Sequence, residues 1–187
     1  MSKIYFTSDH HFGHTNIIKF SNRPFINVEE MNQVLIEKWN EKVGRNDHIY
    51  HLGDVGLMNS KNLEIILSRL NGKIYLIKGN HEKSAEKCKD RFEWVKDYFE
   101  LTINDNEFEK GKNLLVLFHY GMRVWNASHR GSYHLYGHSH GTLPDNPNSL
   151  SFDVGVDCHN FAPLSYGEVK AIMKKKNWVP PVNRSSI

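Results

Sequence analysis

At 187 residues, 39% hydrophobic and 24% charged, the chain has the make-up of a globular domain with enough apolar mass for a substantial core. A formal net charge of +3 suits an anionic substrate but is too small for a protein that coats nucleic acid. No run approaches the roughly 18 consecutive apolar residues of a membrane span, and the compositional oddity is 12 histidines, side chains that both bind metals and carry protons near neutral pH.

Lys3 to Thr7 reads as a buried strand that delivers Asp9, His10 and His11 just past its end. Asn27 then caps a helix to about Val43, with Glu30 at the capping-box position and Met31, Val34, Leu35 and Trp39 on one face. Asp47 to Leu52 is a second strand, followed by Gly53-Asp54. Ser60 opens a further helix whose Leu63, Ile66, Leu67 and Leu70 keep a helical stripe, and Asn71-Gly72 closes it. Lys73 to Lys78 is a third strand running into Gly79-Asn80-His81.

Beyond this point the pattern changes. Tyr98 to Ile103 and Leu114 to Phe118 read as a hairpin around a polar turn, and Ser132 to Tyr136 and Phe152 to Val156 are two shorter strands. Ser165 with Glu168 caps a last helix to about Lys175, leaving a loose tail from about residue 178 that contains Pro180-Pro181. Alternating strands and helices followed by antiparallel strands predict an α/β fold, a mixed β-sandwich of two packed sheets flanked by helices, in one domain over residues 1–187. Cys88 and Cys158 sit in no metal-binding spacing and read as free thiols. With Ile4-Tyr5-Phe6 following no leader-like segment, the expected location is the cytoplasm.

Asp9-His10-His11, Gly53-Asp54, Gly79-Asn80-His81, His119 and Gly137-His138-Ser139-His140 form an ordered series, most of them behind a predicted strand. Asp9 and His11 are two residues apart, which in extended backbone projects both to one side, and His138 and His140 repeat the spacing. Asp54, a carboxylate with two oxygens, is suited to bridging two cations, while Asn80 offers a neutral oxygen and His119 a nitrogen. Each piece alone has a plainer reading: Gly-Asp is ordinarily a turn, and a lone His119 is more often a satisfied core or surface residue. Their co-occurrence at successive strand ends outweighs those readings.

The series resembles the signature of the calcineurin-like metallophosphoesterases, here standing as Asp9-His10-His11, Gly53-Asp54, Gly79-Asn80-His81-Glu82, His119 and Gly137-His138-Ser139-His140. Ser8 to His14 and Met122 to Trp125 are similar to a small bacterial and phage branch of that family. The resemblance implies one divalent ion held by Asp9, His11, Asp54 and His140, and a second held by Asp54, Asn80, His119 and His138. It further implies hydrolysis of a phosphoester by a metal-bridging hydroxide, with His81 assisting departure of the leaving oxygen. Two positions depart from the pattern: Leu57 stands where a supporting carboxylate is common, and Glu82 where aspartate is commoner.

Oxygen and nitrogen ligands without thiolate favour manganese, iron, zinc or similar ions. A phosphodiester is preferred as substrate, nucleotide-derived or in nucleic acid, with a phosphomonoesterase on the same core as the alternative and a non-catalytic scaffold as a further one. Arg123 is the expected substrate-binding guanidinium, with His14 beside it; Asn16, Arg23, Trp125 and His129 are nearby, and Trp125 reads more simply as packing. His10 is expected to be structural, the segment from Glu82 to Asp97 to supply substrate walls, and Lys170 with Lys174 to Lys176 to form a solvated helix face.

Overall fold

The computed structural model describes residues 2–108 and 110–179. Strands β1 (Ile4–Thr7), β2 (His48–His51), β3 (Lys73–Ile77), β4 (Trp94–Lys96) and β9 (Leu164–Ser165) form one sheet in the order β4-β3-β2-β1-β9. Its first four strands are parallel and only β9 is antiparallel. Strands β5 (Tyr98–Asn104), β6 (Lys112–Phe118), β7 (Tyr133–Tyr136) and β8 (Ser151–Asp153) form the second sheet in chain order. Helices α1 (Ile17–Phe20), α2 (Val28–Lys42) and α3 (Ser60–Arg69) lie between the early strands, and α4 (Tyr166–Met173) follows β9.

Strand alternation explains the layers. Tyr5, Ile49, Ile74 and Leu76 face one way into a core with Met31, Leu35 and Trp39 of α2 and Leu63, Ile66 and Leu67 of α3. Their neighbours Phe6, Tyr50 and Ile77 face the other way and meet Leu115, Leu117, Leu135 and Phe152 of the second sheet. The first sheet is therefore buried on both faces, the usual state of a parallel sheet. Val169 and Met173 of α4 close the inter-sheet core.

Helix starts follow local side-chain chemistry. Asn27 accepts a hydrogen bond from the Glu30 amide at 2.8 Å, as expected, but the Glu30 carboxylate reaches back to the Ile26 amide. Asn59, not Ser60, caps α3 by accepting from the Asn62 amide. Ser165 and Glu168 complete a reciprocal capping box on α4, which ends at Met173.

Several expectations are corrected. Within the second sheet only β5 and β6 are antiparallel; β6, β7 and β8 run parallel. The segment expected to wall the substrate instead forms a 3-10 turn over Ala85–Arg91 and the edge strand β4. Ala85, Cys88 and Phe92 join the core beside α3, so burial of apolar surface sets that segment's place. Trp178, at the start of the expected tail, packs against the inter-sheet core, and Pro180-Pro181 lies outside the described residues. Cys88 is buried and Cys158 exposed, both free. Among the described residues, no helix is long and apolar enough to cross a membrane.

Candidate metal centre

Parallel strands present their carboxyl ends at one edge of a sheet, which is where α/β folds gather ligand-binding loops. Here both sheets do so together. Loops after β1, β2 and β3 carry Asp9 and His11, Asp54, and Asn80; loops after β6 and β7 carry His119, His138 and His140. Backbone hydrogen bonds tie the loops: the Asp9 amide donates to Gly53 O at 2.9 Å and the His11 amide to Asp54 O at 3.0 Å.

The alternation argument for Asp9 and His11 does not hold. Asp9, His11, Asp54, His138 and His140 all have left-handed backbone, with φ of 58°, 53°, 57°, 68° and 47°. Each such residue costs of the order of 1–3 kcal/mol and persists where its surroundings over-determine it. Consecutive reversals, rather than extended spacing, turn these side chains to one point. Gly53, at φ 99°, allows a close approach: a Cβ there would stand 2.6 Å from His119 Nδ1 and from the Gly79 amide nitrogen.

Two ligand groups result, Asp9 with His11 and His140, and Asp54 with His119 and His138, each with donor atoms within 4.8 Å of one another. They meet at one oxygen. Asp54 Oδ2 is 3.5 Å from His11 Nε2 and 3.7 Å from His119 Nε2. In the first group His11 Nε2 and His140 Nε2 are 3.9 Å and 4.0 Å from Asp9 Oδ1. Those separations are too long for hydrogen bonds, and they suit donors that each sit about 2 Å from a shared ion. Asn80 Oδ1 lies 3.2 Å from His119 Nε2, on the second group.

Polar satisfaction shows that the residues fit a cation. Asp9 Oδ1 and both ring nitrogens of His11 are buried without a hydrogen-bond partner among the described residues. Burial pushes the Asp9 carboxyl up to about 7 and the His11 imidazole down to about 2. A divalent ion there would offset the desolvation of the carboxylate, and the neutral imidazole would serve as a ligand to it.

Surrounding groups hold the ligands in place. His119 Nδ1 donates to Leu52 O at 2.7 Å, leaving Nε2 toward Asp54. His140 Nδ1 is 2.7 Å from Asp157 Oδ2, and Asp157 also accepts two hydrogen bonds from Arg23, each at 2.8 Å. Arg23 further donates to the backbone oxygens of Asp9 and His10. For Asp157, burial acts to raise the carboxyl, but hydrogen bonds and charge from His140 and Arg23 outweigh it and hold it below the usual range.

Glu82 accepts from the amides of Asp54, Val55 and Gly79, so it braces the backbone beneath Asp54. Its side chain thus contributes a supporting carboxylate in a chain where Leu57 occupies the usual place. Asp153 accepts from Ser139 Oγ and the Gly141 amide and steadies the His138–His140 loop. Neither Asp153 nor Asp157 stood out in the sequence: Asp153 lies inside the predicted strand Phe152 to Val156 and Asp157 just beyond it, with nothing local to mark either as a partner of the ligand loops.

A cleft of about 700 Å³ opens over these ligands. His81 and His14 line it, with Ile17, Phe20 and Leu57 as one apolar wall and Ser139 and Thr142 among its polar residues. The His81 amide donates to Asp54 Oδ1 at 2.9 Å, and its ring lies 5.8 Å from that of His11. Arg123 is exposed and is not among the residues lining the cleft. Trp125 donates from Nε1 to Ser132 and packs on His134, the plainer of its two readings. His10 is buried against Phe12 and Trp39 and pairs with His51 at 2.9 Å, a structural role.

The sequence model of the calcineurin-like phosphoesterase superfamily domain matches residues 3–152. The chain belongs to that superfamily. An uncharacterized Methanocaldococcus jannaschii protein, MJ1445, is 36% identical over 190 residues, which span 98% of each chain. The gene 66 protein of Mycobacterium phage L5 is 31% identical over 102 residues, covering 53% of this chain and 49% of that protein. The structure of AQ665 from Aquifex aeolicus, a protein of unknown function, superposes with a TM-score of 0.68 over 92% of this chain and all of its own, at 23% identity. That last likeness concerns the fold alone. Divalent metal ions are the cofactors of this superfamily, and the two ligand groups of this metallophosphoesterase are where they would sit.

Proposed function

We propose that the chain is a dinuclear metal-dependent phosphoesterase that prefers phosphodiesters. The single observation that carries the reading is the meeting of the two ligand groups at Asp54 Oδ2. Asp9, His11, Asp54 and His140 would hold one ion, and Asp54, Asn80, His119 and His138 the other. The ions supply Lewis acidity and a water acidified toward neutral pH. Oxygen and nitrogen donors without sulfur suit manganese, iron, zinc or similar ions.

The chain's own residues do the rest. Arg23 and Asp157 fix the His140 ring, the Leu52 carbonyl fixes the His119 ring, and Glu82 fixes the backbone that carries Asp54. His81 stands at the cleft, with its amide anchored to Asp54 and its ring free of hydrogen bonds to described residues. It is placed to hold a proton at a ring nitrogen and pass it to the departing ester oxygen. His14, across the ring of His11, contributes a second imidazole to the phosphate end of the cleft.

Charge supports the diester preference. Among the described residues, no Lys or Arg lines the cleft. A monoester carries close to two negative charges above its second pKa of about 6, whereas a diester carries one. The two ions would counter the charge on the reacting phosphate itself, and with no guanidinium or ammonium beyond them in the described lining, nothing further marks the site for the extra charge of a monoester. A diester also has two ester arms, and the cleft has an apolar wall at Ile17 and Phe20 as well as polar residues at Ser139 and Thr142. Nucleotide-derived diesters, with one flat and one polar arm, fit that division.

The test is turnover of bis(p-nitrophenyl) phosphate and p-nitrophenyl phosphate by manganese-loaded protein, alongside metal analysis. The expected result is two ions per chain and faster hydrolysis of the diester. Faster monoester hydrolysis would overturn the preference. Two bound ions with no turnover of either compound would leave a non-catalytic scaffold.

A further inference from the structure

The far end of the second sheet carries a different chemistry. There Phe108, Lys110, Lys112, the 3-10 turn Ser128–Arg130 and Trp178 line a cavity of about 550 Å³, within the range of about 300–1,000 Å³ typical of small-molecule sites. Strand β6 brings Lys112 to this cavity at its first residue, and His119 of the metal centre follows its last. A strand of that length separates the two places by roughly 20 Å.

The cavity combines an aromatic floor with a cationic rim. Phe108, Leu114 and Trp178 supply the apolar surface. The Trp178 ring lies against Gly131, where a Cβ would stand 3.3 Å from it. Lys110, Lys112 and Arg130 surround this floor, and none has an ion-pair partner among the described residues. The lysines picked out by charge patterning behave differently: Lys170 pairs with Asp105 and Glu107, Lys174 with Glu107, and Lys176 with Asp145. Among the described residues, positive charge is paired along α4 and beyond it and unpaired around the cavity.

Unpaired cations around an aromatic ring complement an anion joined to a flat ring system. Phosphate oxygens are taken by lysine and arginine, and a base stacks on tryptophan. We propose that this cavity binds a nucleotide unit, either a free nucleoside phosphate or one link of a single strand, at a site separate from the metal cleft. Base identity matters little there, because two of the polar lining residues, Asn113 and Ser132, are already engaged. Asn113 Nδ2 donates to the Tyr166 hydroxyl and Ser132 Oγ to the Asn126 carbonyl.

The experiment is fluorescence polarisation of labelled (dT)10 with the full, manganese-loaded chain across a salt series, with a gel to confirm that the probe stays intact. Lys112→Glu and Arg130→Glu are each expected to weaken binding about tenfold or more, and to lower the salt slope by about 0.7 per phosphate contact removed. Metal content and thermal unfolding should be unchanged in both. Trp178→Ala is expected to weaken (dT)10 about tenfold while leaving binding of inorganic polyphosphate unmoved. Displacement of the probe by millimolar AMP would identify the free nucleotide as the source, and its failure to displace would identify the strand. The proposal is overturned if wild-type protein does not bind the probe, if both charge reversals bind it like wild type, or if polyphosphate binds as tightly as (dT)10.

Discussion

The two halves of the metal centre are built to different standards of rigidity. In the Asp9, His11 and His140 half, Asp9 and His11 are buried, and His140 is locked through Asp157 to Arg23, which itself grips the Asp9 and His10 carbonyls. In the other half His119 has its backbone anchor at Leu52, but the exposed His138 ring packs on the rings of His119 and Tyr120 and makes no hydrogen bond among the described residues. Groups that orient a metal-binding imidazole set its basicity and geometry. A stepwise titration of metal-free chain should therefore show a tight seat at Asp9 and a weaker one at His138, with Asp54 belonging to both.

Asp54 is where that division disappears, so it gives the largest effect. Asp54→Ala should reduce metal content below one ion per chain and lower diester turnover by at least about a hundredfold. His81→Ala separates binding from chemistry: two ions should remain, while turnover falls roughly a hundredfold or more, the usual contribution of a placed general acid. Loss of metal in the His81 variant would assign it to the ligand set and remove it from proton transfer.

Asp157→Asn tests the braced half by itself. It keeps shape and removes the charge that holds the His140 ring, so the affinity of the tighter seat should fall about 10- to 100-fold, with the weaker seat unmoved. His138→Ala should do the reverse. Calorimetric metal titration of both variants reads the two effects, and equal weakening of both seats by Asp157→Asn would show that the halves are not independently built.

How far these features could be read in the sequence depended on the range of the interaction. Strands β1, β2 and β3 were visible because Ile4-Tyr5-Phe6, Ile49 and Ile74 lie in short apolar runs followed by turn residues, and burial on both faces makes such runs continuous. Their ligand-bearing ends came with them. Helix α1 has four residues and β4 three, too short for any periodic signal. The direction of β7 and β8 was misjudged because short strands separated by polar loops look alike whether the chain returns by hairpin or by crossover. Arg23 and Asp157 are 134 residues apart, and nothing local in either marks the pair. The convergence of Asp9 and His11 was foreseen for the wrong reason: the left-handed backbone of both residues is a property of packed loops, which spacing cannot report.

Behind the braced half lies an imidazole pair that ties its stability to pH. His10 Nδ1 and His51 Nε2 are 2.9 Å apart; the buried His10 ring packs on Phe12 and Trp39, and the buried His51 ring on Trp39. One ring must donate and the other accept, so a proton added to either side removes the acceptor or places a charge away from water. Burial accordingly holds His10 well below its ordinary range and lowers His51 to about 3. Because the folded values lie below the unfolded value of about 6.5, the unfolded chain binds more protons as the medium becomes acidic. The contribution of the pair is complete above about pH 6.5 and drains away as pH falls toward 3. Denaturant unfolding in chelator, which removes any effect of metal release, should show a loss of the order of 2 kcal/mol per histidine between pH 7 and pH 5. His51→Gln, which cannot titrate, should shrink the loss by about 2 kcal/mol, with His11 and other buried imidazoles supplying a separate share; an unchanged slope would move the acid lability to those other histidines.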